Sequence, residues 1–231
     1  MPAPSSPEPT APGPASDRVT VRRGAGRADY DRHRVHAVLD AGLVAHVGVA
    51  TPRGPVVLPF AYGRVGDTLY LHGAVGNALL GESDEGELCA TVTIVDGLVV
   101  ARTPFHHSMN YRSVVVRGRG RAVTDPDEVL RALRAVSDHV VATWELQRPV
   151  STSDLRRTRV VALSLDEVSA KVRDGDPIDE PEDLAGPHWA GTVPIRSVFD
   201  EPRPAADLVG APPVPAPVAA LAGRPVSAAS R

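Results

Sequence analysis

Polar side chains crowd the start of one apolar stretch of this chain, residues 105–116, which read FHHSMNYRSVVV. Runs of valine are typical of β-strands, so these titratable and hydrogen-bonding groups stand at the entry of a strand. Arg112 and Ser113 could bind an anion or the polar edge of a ring through directed donors. His106 and His107 are adjacent in extended chain and point to opposite sides, so they cannot easily chelate one metal together. The stretch is either a crowded polar edge or the lining of a site.

The strand itself predicts which of these side chains share a face. Side chains of a strand alternate, so one face carries Arg112, Val114 and Val116, and the other carries Ser113, Val115 and Arg117. A solvated arginine face is the favoured interpretation for the later arginines of the strand.

A second stretch, LYLHGAVGNALL over residues 69–80, has a different logic. A strand runs into His72 and Gly73 and then into the start of a predicted helix. Free backbone N–H groups at a helix start favour a phosphate, and Gly73 and Gly76 allow close approach of the backbone. An ordinary strand-to-helix turn explains the stretch equally well.

Several strong signatures are absent from the sequence. It contains no nucleophile elbow, P-loop, complete dinucleotide fingerprint or HExxH zinc motif. The one cysteine, Cys89, excludes an intrachain disulfide and a cysteine zinc cluster. His33 and His36 are spaced for one helix face, where a metal pair is conceivable but solvated histidines are favoured. The formal net charge of −3 gives no basic field for nucleic acid, so no nucleic-acid partner is expected.

The chain organisation predicts one folded domain between two tails. Residues 1–17 and 201–231 are rich in Pro and Ala and are predicted to be disordered, which leaves residues 18–200 as the domain. No signal peptide and no apolar run of about 18 residues is visible, so we expect a cytoplasmic protein with no membrane partner.

Periodicity predicts a mainly β, α+β protein with few helices. Helices are expected over residues 28–41, 74–83 and 124–141, the last capped by Thr124. Residues 43–73 read as three strands, and residues 158–173 as one long strand. Asp96-Gly97 is a strong hairpin signal. Short strands at even spacing favour a small antiparallel barrel.

Four strings in this order resemble one known family. They are VAHVGVATPRGPVVLPFAYGRVGDTLYLHG, HHSMNYRSV, SAKVR and HWAGTVPIR. The chain, over roughly residues 20–200, resembles the pyridoxamine 5′-phosphate oxidase-like flavoproteins, and within them the flavin-nucleotide-binding branch related to nitroimidazole-resistance reductases. The resemblance implies a six-stranded antiparallel split β-barrel with a few flanking helices. It also implies that FMN binds at a homodimer interface.

The resemblance also implies roles for individual residues. Residues 59–62 would lie along the isoalloxazine, and His72 with the turn after it would meet the ribityl phosphate. Arg112 and Ser113 would contact the flavin, and Trp189 would close over the ring from the other subunit. His72 is the expected catalytic residue. The expected cofactor-binding residues are Pro59, Phe60, Ala61, Tyr62, His72, Gly73, Asn77, His107, Arg112, Ser113 and Trp189. No metal ligand is expected.

One feature departs from the family pattern. Asn77 and Ala78 stand where relatives carry a Ser-Arg or Ser-Lys phosphate clamp, and residues 73–88 contain no Lys or Arg. The leading hypothesis is an FMN-dependent oxidoreductase acting on an unidentified small molecule, with NAD(P)H as a candidate donor. The alternatives are a non-catalytic protein that binds flavin, deazaflavin or haem, and a cofactor-free dimeric scaffold.

Overall fold

The computed structural model describes residues 12–77, 80–81 and 86–227, which form two antiparallel β-sheets with helices at their flanks. The strands are β1 Ala28–Asp29, β2 Ala45–Thr51, β3 Gly54–Phe60, β4 Tyr62–Val65, β5 Thr68–Ala74, β6 Glu87–Val100, β7 Ser108–Arg119, β8 Arg121–Ala122, β9 Thr158–Ser164, β10 Glu167–Arg173 and β11 Gly191–Pro194. The α-helices are α1 Arg32–Ala41, α2 Pro126–Val140, α3 Thr152–Arg156 and α4 Ala216–Ala219.

The two sheets enclose the main core. The larger has seven strands in the order β1-β10-β7-β6-β2-β3, with β11 paired to β6, and the smaller has four in the order β4-β5-β9-β8. Val47, Val92 and Val114 of the larger sheet pack with Leu71 and Leu163 of the smaller. The predicted mainly β, antiparallel split barrel is confirmed, with more strands than the six that the resemblance implies.

Helix α1 forms where the periodicity predicts a helix, but it begins later. Asp31 is its N-cap, and the carboxylate accepts a hydrogen bond from Arg34 N at 3.0 Å. Val35, Val38 and Leu39 are buried, as the predicted stripe requires. The helix starts at residue 32 and not at 28, because Ala28 and Asp29 pair with β10 as an edge strand.

Residues 45–74 form four strands and not the predicted three. The chain leaves the larger sheet at the end of β3, and after Ala61 it joins the smaller sheet as β4. Strand β3 is at the edge of the larger sheet, and its five middle residues are exposed although they read PVVLP. An apolar edge strand of this kind is a template for pairing with another chain.

The hairpin predicted at Asp96-Gly97 is wrong. Strand β6 runs unbroken from residue 87 to residue 100, and its pairing with β7 shifts register between Val95 and Gly97. The dipeptide therefore forms a β-bulge, which inserts one extra residue and re-aims its side chain. Gly97 fits because a Cβ atom there would lie 3.0 Å from the carbonyl oxygen of Val193 on β11.

Helix α2 packs on the smaller sheet and covers a second small core. Its N-cap is Asp125 and not the predicted Thr124, since the Asp125 carboxylate accepts from Glu128 N at 2.8 Å. Ala132 and Val136 of the helix are buried against this sheet. At Gly63 on β4 an added Cβ would lie 2.4 Å from the backbone of α2, so only glycine allows this approach.

The long strand predicted over residues 158–173 is two strands in different sheets. Strand β9 belongs to the smaller sheet and β10 to the larger. Leu165 lies between them and is fully buried, so the chain turns a corner of the barrel there. Period-two alternation continues through such a corner, so a sequence pattern cannot show it.

The C-terminal segment differs from the predicted disorder over residues 201–227. Phe199 N donates to Arg224 O at 3.0 Å, and Val226 N donates to Ser197 O at 2.9 Å. These hydrogen bonds hold the segment, with its short helix α4, against the body of the protein. Residues 1–11 and 228–231, for which disorder is also predicted, lie outside the described residues.

Two further predictions can be placed only in part. Within the helix predicted over residues 74–83, residues 78, 79, 82 and 83 lie outside the described residues, and these include Ala78 of the missing phosphate clamp. Among the residues that the structure describes, no helix is long and apolar enough to cross a membrane.

Candidate functional site

His72 lies near the end of β5, opposite Val160 of β9. Alternation along β5 places His72 on the face that carries Tyr70, which is the face that α2 covers. The Nδ1 atom of His72 is buried and has no hydrogen-bond partner in the described part of the chain. A buried ring nitrogen without a hydrogen-bond partner is uncommon, because most buried polar atoms in proteins are hydrogen-bonded.

The imidazole of His72 lines a cleft of about 420 Å³. The other walls come mainly from the end of α2 and the chain after it: Leu133, Ser137, Val140, Val141, Trp144, Val150 and Thr158. Only Ser137 and Thr158 add hydroxyl groups, and the rest of this lining is apolar. The cleft therefore offers one imidazole in an apolar setting, which is the composition of a site for a flat apolar ligand.

Burial sets the protonation state of His72. Loss of hydration lowers the pKa of its imidazole below the ordinary value, because the charged form is poorly solvated there. The ring is therefore neutral near pH 7, and a neutral imidazole has one nitrogen lone pair able to bind a metal.

Gly73 follows His72 within β5, and Asn77 lies in the turn after this strand. A Cβ atom on Gly73 would lie 2.8 Å from Leu80 Cδ1 and 3.4 Å from Asn77 Nδ2. Asn77 Oδ1 accepts a hydrogen bond from Leu80 N at 3.4 Å. Asn77 thus lies beside Gly73, on the face of β5 opposite to His72, and its side chain holds the turn.

Phe60 and Tyr62, expected along a flavin ring, are in the core. Tyr62 is fully buried, and its hydroxyl donates to the carbonyl oxygens of Leu39 and Gly42. Burial raises the pKa of Tyr62 well above its ordinary value. Phe60 is buried as well. The two rings pack between the sheets, because the chain crosses from one sheet to the other at Ala61, and their expected place along a flavin stays a prediction.

Two other expected residues, His107 and Trp189, lie near the C-terminal end of β6. His107 Nδ1 accepts a hydrogen bond from Ala101 N at 3.2 Å. Trp189 lies against Gly191, which pairs with Val100 of β6. The Trp189 side chain is 65% exposed, so its ring has a free face.

Arg112 and Ser113 lie on opposite faces of β7. Arg112 is buried and forms a bidentate ion pair with Asp96, with Nε–Oδ2 and Nη2–Oδ1 distances of 2.9 and 2.7 Å. Ser113 points the other way and donates to Lys171 O at 3.3 Å. Neighbouring strand residues face opposite sides, so the two side chains lie apart, and their expected contact with a flavin stays a prediction.

The structure therefore separates the expected residues into several places. Pro59 is exposed on the edge strand β3 and Ala61 is half-buried at the crossing. The His72 cleft, the end of β6 and the Arg112 pair are each distinct. The sequence interpretation missed Trp144 and Asp96. Asp96 was hidden by its turn-like dipeptide, and no local signal links Trp144 to His72.

Comparisons with known proteins find one matching family model and several similar structures. A family model described as pyridoxamine 5′-phosphate oxidase matches residues 31–172. The flavocytochrome Anf3 from Azotobacter vinelandii is 37% identical, with a TM-score of 0.87, over 91% of this chain and 99% of that chain. An FAD and haem binding protein from Mycobacterium smegmatis is 31% identical, with a TM-score of 0.82, over 87% of this chain and 100% of that chain.

A more distant likeness supports the fold alone. A protein from Bacteroides thetaiotaomicron ascribed to 5-nitroimidazole antibiotic resistance is 24% identical over 63% of this chain and 86% of that chain, with a TM-score of 0.53. No curated protein matches the chain.

Proposed function

Because the chain belongs to the pyridoxamine 5′-phosphate oxidase family, we propose that it is a flavin- and haem-binding electron-transfer protein in which His72 holds the haem. Two similar structures, a flavocytochrome and an FAD and haem binding protein, are more than 30% identical to it over most of both chains. The proposal takes the haem of those proteins to the His72 cleft, whose composition suits it.

The observation that carries the proposal is the orphaned imidazole of His72. A buried nitrogen without a hydrogen-bond partner in the described residues costs stability unless a ligand satisfies it. The ring is neutral, since burial lowers its pKa, and it faces an apolar cleft of a volume typical of cofactor sites. An imidazole ligand and apolar walls are one combination that can hold haem.

Different residues of the cleft would contact different parts of the haem. A ring nitrogen of His72 would bind the iron, while Leu133, Val141 and Trp144 would pack on the macrocycle. Ser137 would be placed to donate a hydrogen bond to a polar edge. When bound, haem supplies one-electron transfer, for which the apolar walls set the polarity of the site.

The role of His72 as a proton donor to a flavin-bound substrate is the weaker alternative. A general acid works best when its pKa is near the working pH. Burial moves the pKa of His72 in the opposite direction, so little of the ring is protonated at neutral pH. Metal binding uses the neutral form and gains from the same shift.

For the flavin we propose a site between two copies of the chain. The edge strand β3 exposes Val56, Val57 and Leu58, with Val57 exposed over 62% of its surface, and Trp189 is exposed as well. Contiguous exposed apolar residues mark an interaction surface, and a second copy is the simplest partner. We further propose NAD(P)H as the donor and an unidentified small molecule as the acceptor, both of which rest on the resemblance to the family. The cytoplasm is proposed as the location, as expected from the sequence.

Absorption spectra of the purified protein test the haem site. Wild-type protein reconstituted with hemin should give a Soret band at one equivalent, and His72→Ala should lose it while keeping its far-UV circular dichroism. The matched control is His33→Ala, an exposed histidine on α1, which should bind hemin as wild type does. A Soret band that is unchanged in His72→Ala would overturn the assignment.

Light scattering after size exclusion tests the dimer. Val57→Lys places a charge on the exposed strand and should convert a dimer to a monomer with weaker flavin binding. Val209→Lys, at a position exposed over 89% of its surface in the C-terminal segment, is the control and should stay dimeric. A monomeric wild-type protein that binds flavin tightly would contradict the shared site.

A further inference from the structure

A second cavity, of about 460 Å³, lies at the end of the barrel under α1 and the chain after β11. Four arginines and two aspartates line it: Arg34, Arg112, Arg173, Arg196, Asp96 and Asp174. It shares no lining residue with the His72 cleft. The lining has a formal excess of positive charge, which a ligand of opposite charge would offset.

Arg173 is the informative member of this set. The residue is buried, with 7% of its surface exposed. Its guanidinium donates to Asn110 Oδ1, to Gly175 O at 3.1 Å and to Asp176 O at 2.9 Å, all of them uncharged oxygens. Within the described residues no carboxylate forms an ion pair with it. A buried cation that only neutral groups satisfy is unusual, because buried charges are normally paired.

The other arginines add to this positive field and are only partly neutralised. Arg112 is paired with Asp96. Arg34 is an exposed side chain whose Nε lies 3.6 Å from Asp29 Oδ2. Arg196 is exposed at the rim and has no hydrogen bond or ion pair among the described residues. One fixed guanidinium in the floor and one unengaged guanidinium at the rim can grip the same oxyanion.

We propose that this cavity binds the oxyanion of a small organic phosphate or carboxylate, with Arg173 in its floor and Arg196 at its rim. Val38, Val172 and Ile195 belong to the apolar part of the lining and would pack on the body of the ligand. The oxyanion can come from a free metabolite or from the phosphate of a flavin nucleotide. The proposal does not depend on haem binding at His72.

Calorimetric titration of the full-length protein at low ionic strength tests the site. The probes are phenyl phosphate and benzoate, with phenol as the uncharged counterpart. The two anions should bind and phenol should not, and added salt should weaken binding. Arg196→Ala should raise the dissociation constant of the anions by about tenfold, the usual effect of losing one charge-assisted hydrogen bond, and Arg196→Lys by less.

The matched control is Arg203→Ala. Arg203 is in the same segment and carries the same charge, but it lies outside the cavity and is 85% exposed beside Asp200. The Arg203→Ala variant should bind the two anions as the wild-type protein does. The proposal is overturned if neither anion binds, or if Arg196→Ala and Arg203→Ala have equal dissociation constants.

Competition then identifies the source of the oxyanion. If FMN displaces phenyl phosphate and riboflavin does not, the cavity holds the phosphate of the flavin nucleotide. If neither displaces it, the ligand is a separate metabolite. Both results keep the anion site. The readout is the heat of anion binding, so a missing Soret band would refute the haem proposal and leave this one standing.

Discussion

Asp96→Asn should destabilise the protein although it changes a single atom of one side chain. The variant keeps the shape of residue 96 but removes the negative charge that faces Arg112. In the wild-type protein the two side chains form a bidentate pair, with the Arg112 side chain 10% exposed and the Asp96 side chain 34% exposed. The guanidinium would stay buried, short of its charged partner, in a cavity that already has an excess of arginines.

The magnitude follows from the burial of the two groups. Breaking a fully buried ion pair costs about 3–5 kcal/mol, and an exposed pair contributes about 0–1 kcal/mol. Because a third of the Asp96 side chain reaches solvent, we expect an intermediate loss of about 2–3 kcal/mol in the free energy of unfolding. For a domain of this size that loss lowers Tm by about 4–12 °C.

Urea unfolding followed by circular dichroism measures this loss through the midpoint at constant m-value. Asp200→Asn is the control, because the Arg203–Asp200 pair is exposed on both sides, and it should cost no more than about 0.5 kcal/mol. The double variant Arg112→Met with Asp96→Asn should recover part of this loss of stability, because it also removes the positive charge of the guanidinium. Equal midpoints for Asp96→Asn and Asp200→Asn would refute the reasoning.

Three further changes test the fold around the sites. Gly63→Ala forces a Cβ atom to 2.4 Å from the backbone of α2 and should lower the free energy of unfolding by about 3 kcal/mol or more. Gly26→Ala is the control, because an added Cβ there has nothing within 4 Å, and it should be nearly neutral in the same urea assay. Tyr62→Phe removes the donor to two buried carbonyl oxygens and should lower the unfolding free energy by about 1–2 kcal/mol; a neutral effect would mean that water replaces the hydroxyl. Arg121 donates to Glu128 and holds the pKa of that carboxyl below its ordinary value, so this stabilisation is present above about pH 4.5 and is lost as the pH falls through the lowered pKa. Glu128→Gln should therefore be less stable than wild type at neutral pH but not in acid, and a constant difference across that range would contradict the assignment.

The elements that the sequence predicts well are those whose signal is local. Helix α1 follows from the spacing of Val35, Val38 and Leu39, and α2 from a longer stripe of the same kind. Asp96-Gly97 shows the limit of such signals. The dipeptide suits both a two-residue turn and a bulge, and the choice is made by β7 and β11, which lie elsewhere in the chain.

The candidate sites were predictable only in part for the same reason. The sequence places Arg112 on the face of Val114 and Val116, so alternation alone predicts that it turns inward with them. The resemblance to the family pointed outward instead, towards a flavin. The cleft at His72 depends on Leu133 and Trp144, which are more than 60 positions away in the chain, and only packing of α2 on the smaller sheet brings them there.

The missing phosphate clamp is explained if the two cavities have different occupants. Residues 73–88 contain no Lys or Arg, although this is where the family carries its basic pair. A cation beside the His72 cleft would be poorly solvated by its apolar walls, and it would not help an iron-binding imidazole. Guanidinium groups suit an anion, and four of them line the other cavity, around Arg173. The sequence departure at Asn77 and the arginine cluster at the barrel end would then both follow from one division, in which we propose the neutral imidazole cleft for the metal centre and the cationic cavity for the oxyanion.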